Sequence, residues 1–392
     1  MPKRKAKTSK QSKKTKIDTT DVCDAQIAFS FNLLKQLTSE NIDSLACSPY
    51  SIAICLAIVS VGANGETKEE IRRLLGSSNT SDEQIHQYFN KILSEIDKKN
   101  DDVSLESANK LCIQDGYPLM EGFEKFLETN YEGILEQCNF ADAKGVCKNI
   151  NAWAKDKTNG LISDFIDEDD ISPLTRLFLL NAVYFKGKWV NEFEKACTRE
   201  KSFNVSKEKT KKVQMMEQSD DFNFYQNESF SAIRVPYKGN KLAMYAFLPK
   251  EIREINNLFD GLTPDSLAEL IQKTKRAKLV EVDVEFPCFE VESSHELIQP
   301  LQQLGVNEAF NADADFSGIM ASDEPLFISR IFQKVYIKTN ERGTIAAAVT
   351  GAPMTGGTND EIRTEFIADH PFFYFIIHEK EMCVLFAGTI TG

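Results

Sequence analysis

The chain is poor in the residues that hydrolytic and metal chemistry need. Of its 392 residues only four are histidine, His86, His295, His370 and His378, and they are scattered. No H-E-x-x-H places two of them on one helix face around a zinc ion. No G-x-S-x-G, P-loop or G-x-G-x-x-G occurs, so neither a nucleophile elbow nor a phosphate-cradling turn is encoded. Nine cysteines, an odd number, include no C-x-x-C pair and outline no disulfide framework. Thiols spread in this way suit a reducing compartment. No stretch of about 18 apolar residues would span a bilayer. The acidic run "DFIDEDDIS" (164–172) lacks the glycine and spacing of a calcium loop and reads as solvated. These absences argue against the common enzyme classes, and neither catalysis nor a cofactor or metal is expected.

Charge is present in quantity but unevenly spread. Of 46 Lys and Arg, eight fall in "MPKRKAKTSKQSKKTK" with no acid among them, which leaves 38 against 59 acidic residues, a net of −21, for the rest. Such an acidic body does not suit a nucleic-acid-binding fold, whereas a lysine-rich arm binds polyanions by releasing their counterions. Residues 1–18 are therefore expected to be a disordered basic tail, with residues 1–16 open to a polyanion or nucleic acid. The arm lacks the apolar core of a secretory signal. A cytoplasmic or nuclear location is expected, with export only by an unconventional route. Residues 19–392 show no composition break and read as one domain, expected to be a monomer.

Within that domain the periodicity begins helical. "DAQIAFSFNLLKQL" places Ile27, Phe29, Phe31, Leu33, Leu34 and Leu37 mostly on one broad face. "SPYSIAICLAIVSVGANG" is an apolar helix ended by Gly62 and Gly65, and the amphipathic "ETKEEIRRLLG" follows. Helices are predicted at 82–97, at 119–131 and over "VCKNINAWAKDKTNGLIS". Strands dominate from "RLFLLNAVYF" onward. "FSAIRVPYKGNKLAMYAFLP" reads as a hairpin around Lys238-Gly239-Asn240, "KLVEVDVEFPCFEVESS" alternates cleanly, and the C-terminus holds two buried strands. Helices first and strands later, without βα alternation, is an α+β signature. Trp153 and Trp189 read as core anchors.

One segment fits none of this. "ERGTIAAAVTGAPMTGGTNDE" (341–361) has no hydrophobic period and follows the strand-like Val335–Thr339. Long structureless segments in compact domains tend to be functional. Its first half can itself become a strand, because Thr344, Ala346, Ala348, Thr350 and Ala352 share one face of a two-residue pleat and all are small. A strand of that kind can enter a crowded sheet without overpacking it.

At this point the residues resemble the serpin family, over nearly the whole chain from about residue 24. The resemblance is carried by "CSPYSIAICLAIVSVGANGETKEEI", "INAWAKDKTNGLISDFI", "LLNAVYFKGKW" (179–189), "VPYKGNKLAMYAFLP", "LGVNEAFNADADFSGI" (304–319) and "ADHPFFYFII" (368–377), in order and spacing. It implies three β-sheets, about nine helices and an exposed reactive-centre loop at about 341–364. It also implies a suicide-substrate mechanism against a serine protease: the loop is cleaved, and its proximal half inserts into the main sheet while the protease is held as a covalent acyl complex. The implied alternatives are a non-inhibitory serpin acting as chaperone, carrier or storage protein, and a chromatin-associated protein using the basic tail.

The family's hinge pattern falls on Glu341, Gly343, Thr344, Ala346, Ala347 and Ala348. Thr344 is expected near the surface of the uncleaved protein. Arg342 and Ile345 depart from the pattern, and Pro353 would remove a ladder donor from an inserted strand. The shutter cluster falls on Ser48, Ser51, Asn181 and Gln333, where Gln333 replaces a usual histidine and a proton-sensitive gate is expected to be lost. Trp189 falls at the breach, the end of the main sheet where insertion begins. Family spacing puts the reactive bond at Gly357-Thr358. Met354-Thr355 offers a side chain better suited to a chymotrypsin- or elastase-like protease, and Arg363-Thr364 one suited to a trypsin-like enzyme.

Overall fold

The helical periodicities become helices α1 (Thr20–Thr38), α2 (Pro49–Val61), α3 (Gly65–Leu75), α4 (Asp82–Glu95), α5 (Glu121–Asn130) and α6 (Ala143–Lys157), followed later by α7 (Pro264–Arg276) and α8 (Ile298–Gln303). The computed structural model describes residues 18–39, 43–77, 79–96, 102–131, 134–252, 261–322, 324–344 and 363–392. Local chemistry sets the helix starts. Ser48 caps α2 by accepting the Ser51 N–H, and Pro49 occupies the first turn, where its missing donor costs nothing. Ser81 and Gln84 form a reciprocal capping box on α4. Helix α2 is apolar all round and every residue from Pro49 to Ser60 is buried, so it forms the floor of the core rather than its skin.

The strands are β1 (Leu45–Cys47), β2 (Val103–Gln114), β3 (Ile134–Cys138), β4 (Leu177–Lys188), β5 (Arg199–Asn204), β6 (Thr210–Gln226), β7 (Phe230–Pro236), β8 (Leu242–Pro249), β9 (Leu279–Pro287), β10 (Phe289–Glu296), β11 (Ile328–Asn340), β12 (Gly343–Thr344), β13 (Thr364–Ile367), β14 (Phe372–His378) and β15 (Cys383–Ile390). The main sheet has the order β10-β11-β12-β4-β2-β3, with β11 also paired directly to β4. The second sheet runs β1-β15-β14-β8-β7-β6-β9-β13, with β5 on β6. Of the three sheets the resemblance implies, two are thus joined by hydrogen bonds. The seventeen-residue β6 causes this, pairing with β9 over most of its length and with β7 over its last residues.

Two segments differ from the sequence reading. "KLVEVDVEFPCFEVESS" is not one strand: it breaks after Pro287 into β9 and β10, which belong to different sheets. Strand β2, in the stretch read as mainly helical, is long and central. Both faces of the main sheet are covered. Leu105, Leu111, Leu179, Val183 and Phe185 face the large core, while Cys112, Phe178, Leu180 and Tyr184 face a smaller core under α6 with Trp153 and Phe165.

Burial leaves three histidines short of their ordinary basicity. His86 is lowered to about 4 by burial, with Nδ1 2.6 Å from the Tyr131 hydroxyl. His295 and His378 are lowered by burial too, opposed by the Ala46 carbonyl for the former and by Glu95 for the latter. A folded-state pKa below the unfolded value means that the unfolded chain binds protons first on acidification. The stabilising contribution of His86 is present above pH 6.5 and is lost as pH falls toward about 4. The melting midpoint is expected to drop between pH 7.5 and 5, where most carboxylates stay ionised. A midpoint that is flat across that range, measured by calorimetry, would show that these imidazoles are not held neutral by the fold.

Candidate functional site

The main sheet contains a seam between β4 and β11 that is closed at one end and occupied at the other. The two strands pair in parallel from Leu177/Ile328 to Tyr184/Tyr336, with a register irregularity between Ile328 and Arg330. Beyond Tyr336 they stop pairing with each other and β12 lies between them. Thr344 is opposite Thr339 on one side and Gly187 on the other, and Gly343 is opposite Asn340 and Lys188, antiparallel to both neighbours.

Sequence reasoning expected Thr344 near the surface. The structure buries it completely. Its hydroxyl lies 3.0 Å from the Tyr237 hydroxyl and 3.3 Å from that of Thr339. Burial pushes the Tyr237 phenol far up, so that ring remains a neutral partner. Gly343 is required by its geometry. Its φ is +134°, and a Cβ there would stand 2.0 Å from the Gly187 carbonyl oxygen.

The chain reaching β12 is held from several directions. The backbone N–H of Trp189 donates to the Arg342 carbonyl at 2.8 Å, and its indole N–H donates to the Asn340 carbonyl at 3.1 Å. Phe193 N–H donates to the Glu341 carbonyl at 2.7 Å, and the Glu341 carboxylate accepts from the Thr198 hydroxyl at 2.8 Å. Trp189 is stacked on Tyr237 with ring centroids 4.5 Å apart. Trp189 and Tyr237 thus support the hinge strand from within the core.

Half-way down the seam the four residues assigned to the shutter come together, all buried. Gln333 and Asn181 are opposite each other in the ladder. The Gln333 amide donates to Asn181 Oδ1 at 2.6 Å and to the Ser48 carbonyl at 3.0 Å, and accepts the Ser48 N–H at 2.8 Å. The Ser48 hydroxyl donates to the Leu385 carbonyl at 2.7 Å. Asn181 donates in turn to the Ser51 hydroxyl and to Asn109 Oδ1.

Three further members were missed from the sequence. Ser107 is 2.5 Å from the Ser51 hydroxyl, and Asn109 accepts from the Cys55 thiol at 3.1 Å. Their signal was the spacing of Ser107 and Asn109 two apart between Leu105 and Leu111, a polar gap on the core face of a strand. His295 lies opposite Gln333 across the β10–β11 ladder, with Nε2 2.7 Å from the Ala46 carbonyl oxygen. A titratable ring therefore adjoins this cluster, one strand away from the amide.

Ala346, Ala347, Ala348, Met354, Thr355, Gly357 and Thr358 lie outside the described residues, as do Ile345, Pro353 and residues 1–16. Arg363 and Thr364 are described. The first lies 3.4 Å from the Asp283 carboxylate, and the second begins β13, which pairs in parallel with β9. Thr344, the last described residue before 345–362, thus lies in one sheet, and Thr364 lies in the other.

The main sheet thus combines a closed parallel seam, a short strand seated at one end and a polar cluster half-way along. The family model for serpins (serine protease inhibitor) matches residues 24–392. The chain belongs to the serpin family. It is 35% identical over 379 residues to an uncharacterized serpin-like protein of Methanosarcina mazei, covering 94% of this chain and 87% of that protein. It is 35% identical over 376 residues to Serpin B6 of Pongo abelii, covering 95% and 99%. The crystal structure of uncleaved ovalbumin superposes with a TM-score of 0.86 at 27% identity, over 95% of this serpin and 100% of that chain. No helix among the described residues is long and apolar enough to cross a membrane.

The seated hinge has a direct test. Gly343→Ala is expected to destabilise this serpin by roughly 2 kcal/mol through the left-handed φ and the backbone clash, or to expel β12. If β12 is expelled, the Trp189 fluorescence should shift to the red, because its two bonds to the 340–342 backbone are lost; if it stays seated, the melting midpoint should fall. Unchanged emission together with an unchanged melting midpoint would show that Gly343 does not occupy the seam.

Proposed function

We propose that this serpin is a single-use inhibitor of serine proteases that traps its target by inserting the 344–357 segment between β4 and β11. The observation that supports this most is the seating of Gly343 and Thr344 at the end of the seam, with a ladder partner on each side. Continuing the same register pairs each later residue with one residue earlier on β4 and on β11. Ala346 then falls between Phe185 and Ile337, Ala348 between Val183 and Val335, and Ala352 between Leu179 and Ile331. These neighbours are all buried, so small side chains are what the space allows.

Thr350 is the exception on that face, and it falls between Asn181 and Gln333. Insertion must pull those two side chains apart, and a buried amide left unpaired costs on the order of 1–3 kcal/mol. A threonine hydroxyl at that level can accept from one and donate to the other. Pro353 falls opposite Arg330, where the β11 ladder is already irregular. A missing donor is tolerated best at such a place.

The mechanism follows from these contacts. A protease takes the loop as substrate, its serine attacks the scissile carbonyl, and the bond breaks to leave an ester. The freed strand then zips into the seam, exchanging one parallel ladder for two antiparallel ones. At about 3.3 Å per residue the ester travels roughly 45 Å between the levels of Thr344 and Gly357. Trapping succeeds if this movement outruns hydrolysis. The reactive bond is assigned to Gly357-Thr358, which carries the strand past Leu177 at the foot of β4. Met354-Thr355 remains the alternative, ending the strand level with Leu177 and favouring a chymotrypsin- or elastase-like target. Residues 1–16 would bind polyanions independently, in the cytoplasm or nucleus.

The experiment is incubation with a panel of chymotrypsin-, elastase- and trypsin-like proteases, denaturing electrophoresis, and mass measurement of the released C-terminal peptide. A complex stable to denaturation is expected with at least one enzyme. Loop cleavage without such a complex would favour the chaperone, carrier or storage reading. Thr344→Arg is expected to remain folded with its hinge pushed out of the seam, since an unpaired cation cannot stay buried beside Tyr237. Its loop should still be cut, with more than tenfold less protease held covalently. Equal trapping by Thr344→Arg and wild type would exclude insertion at this seam.

Deleting residues 1–16 should leave trapping intact while weakening salt-dependent binding to heparin or duplex DNA. Loss of trapping on deletion, or unchanged polyanion affinity, would overturn that division of roles.

A further inference from the structure

Strands β6, β9 and β13 form one corner of the second sheet, and its two faces differ. Met216, Phe222, Val282, Val284, Phe286 and Phe366 are buried in the large core. With the two-residue pleat, Glu281, Asp283 and Glu285 then point outward, and their ladder partners share that face. Asp221 is opposite Glu281, Ser219 is opposite Asp283, and Glu217 is opposite Glu285. On the other side of β9, Glu365 is opposite Asp283. Like charges directly opposite each other destabilise a sheet. Lys201 relieves the far end by bridging Glu217 and Glu285, and Arg363 lies beside Asp283. Asp221, Glu281 and Glu365 are exposed and have no cation among the described residues.

Two independent observations mark this face as a contact surface. Leu279 and Val280, at the start of β9, are 62% and 37% exposed, and only two other large apolar side chains are exposed among the described residues. Leu279 shares the outer face with Glu281, so an apolar contact adjoins the acidic one. The face also continues directly into the chain that carries the assigned reactive bond. Arg363, the first described residue after 345–362, rests on Asp283, and Thr364 is paired with Val282. Thr358 precedes Arg363 by five positions, at most about 18 Å of extended chain. A protease domain, wider than about 30 Å, spans that distance.

We propose that the outer face of β6, β9 and β13 docks the target protease, and that this target is a serine protease with a cationic surface beside its cleft. This rests on the inhibitory reading given above and names the kind of partner it takes. Asp221, Glu281 and Glu365 gain from the protease the cations that the fold does not supply, while Leu279 packs at the edge of the contact. Charges placed in this way steer encounter and act mainly on the rate of association. Insertion takes place in the other sheet, between β4 and β11. The two tasks are therefore divided: the acidic face selects which protease arrives, and the seam decides whether it is held.

The test uses the full chain and anhydrochymotrypsin, a cationic protease whose nucleophilic serine has been converted to dehydroalanine, so that it binds without cutting. Affinity is measured at about 0.01 M salt, where charges act over about 30 Å, and at about 1 M, where they act over about 3 Å. Asp221→Asn, Glu281→Gln and Glu365→Gln combined are expected to weaken binding roughly tenfold at low salt and to leave it unchanged at high salt. Anhydrochymotrypsin with succinylated lysines should bind the wild type at least as weakly. The melting midpoint of the variant should be equal or higher, because opposed like charges are relieved, which separates lost docking from lost folding. With active chymotrypsin, the fraction of cleaved loop that ends in a covalent complex should be the same for both. Equal affinity of variant and wild type at low salt, or no binding by the full wild-type chain, would overturn the proposal. Binding that appears only after deletion of residues 1–16 would assign the face to the chain's own basic arm and overturn it too. Cleavage without any covalent complex would instead count against trapping, and the affinity comparison would still decide the docking surface.

Discussion

The structure depends on a seam that is closed without being sealed. Strands β4 and β11 pair in parallel, which is slightly weaker per residue than antiparallel pairing. Beneath them the core contact is polar rather than apolar at one level, where Gln333 and Asn181 bond to each other and through Ser48, Ser51 and Asn109 to α2 and β2. An apolar pair at this level would gain from burial whichever partner it met. A hydrogen-bonded pair is held only while each amide has its partner. The clasp therefore holds the seam closed with every amide group of Gln333 and Asn181 partnered.

The surrounding elements make the clasp directional. Helix α2 is buried along its length, which anchors Ser48 and Ser51 in the core. The Ser48 hydroxyl is tied further to Leu385 on β15, in the other sheet. On the proposed mechanism, β4 and β11 would separate above this buried helix. At the occupied end, Trp189 and Tyr237 play the corresponding part, bonding the 340–342 backbone and the Thr344 hydroxyl from below. For the proposed insertion, the seam offers a strand already seated at one end and a polar step half-way along.

Much of this was legible in the sequence, and the failures have physical causes. Helices α1, α3 and α4 announce themselves by amphipathic period, glycine stops and caps, all local properties. Strand β2 does not, because its core face carries Ser107 and Asn109 where a period-two reading wants apolar residues. The break between β9 and β10 was marked by Pro287, but unbroken alternation on either side masked it. The burial of Thr344 was not readable at all. It depends on Tyr237, 107 residues away in sequence, and on the two strands parting above Tyr184 and Tyr336. The clasp members Ser48, Ser51, Asn181 and Gln333 share no pattern of spacing and were reached only through family resemblance.

The other face of the seam bears on how the inserted strand clears α6. On the proposed register the odd-numbered residues of the loop face the small core. There Ile345 meets Lys186 and Lys338 near the open end, where a larger side chain has solvent beside it. Deeper in, the space closes: Leu180 and Phe178 are fully buried, and the rings of Phe178 and Phe332 lie 5.7 Å apart across the two strands. The residue that would arrive between Leu180 and Phe332 is Gly351. A side chain at that point would add volume to the face that α6 covers, and overpacking a core costs about 1–3 kcal/mol. The glycine that reads in sequence as mere loop flexibility is, on this register, the residue whose lack of a side chain lets the strand pass under α6.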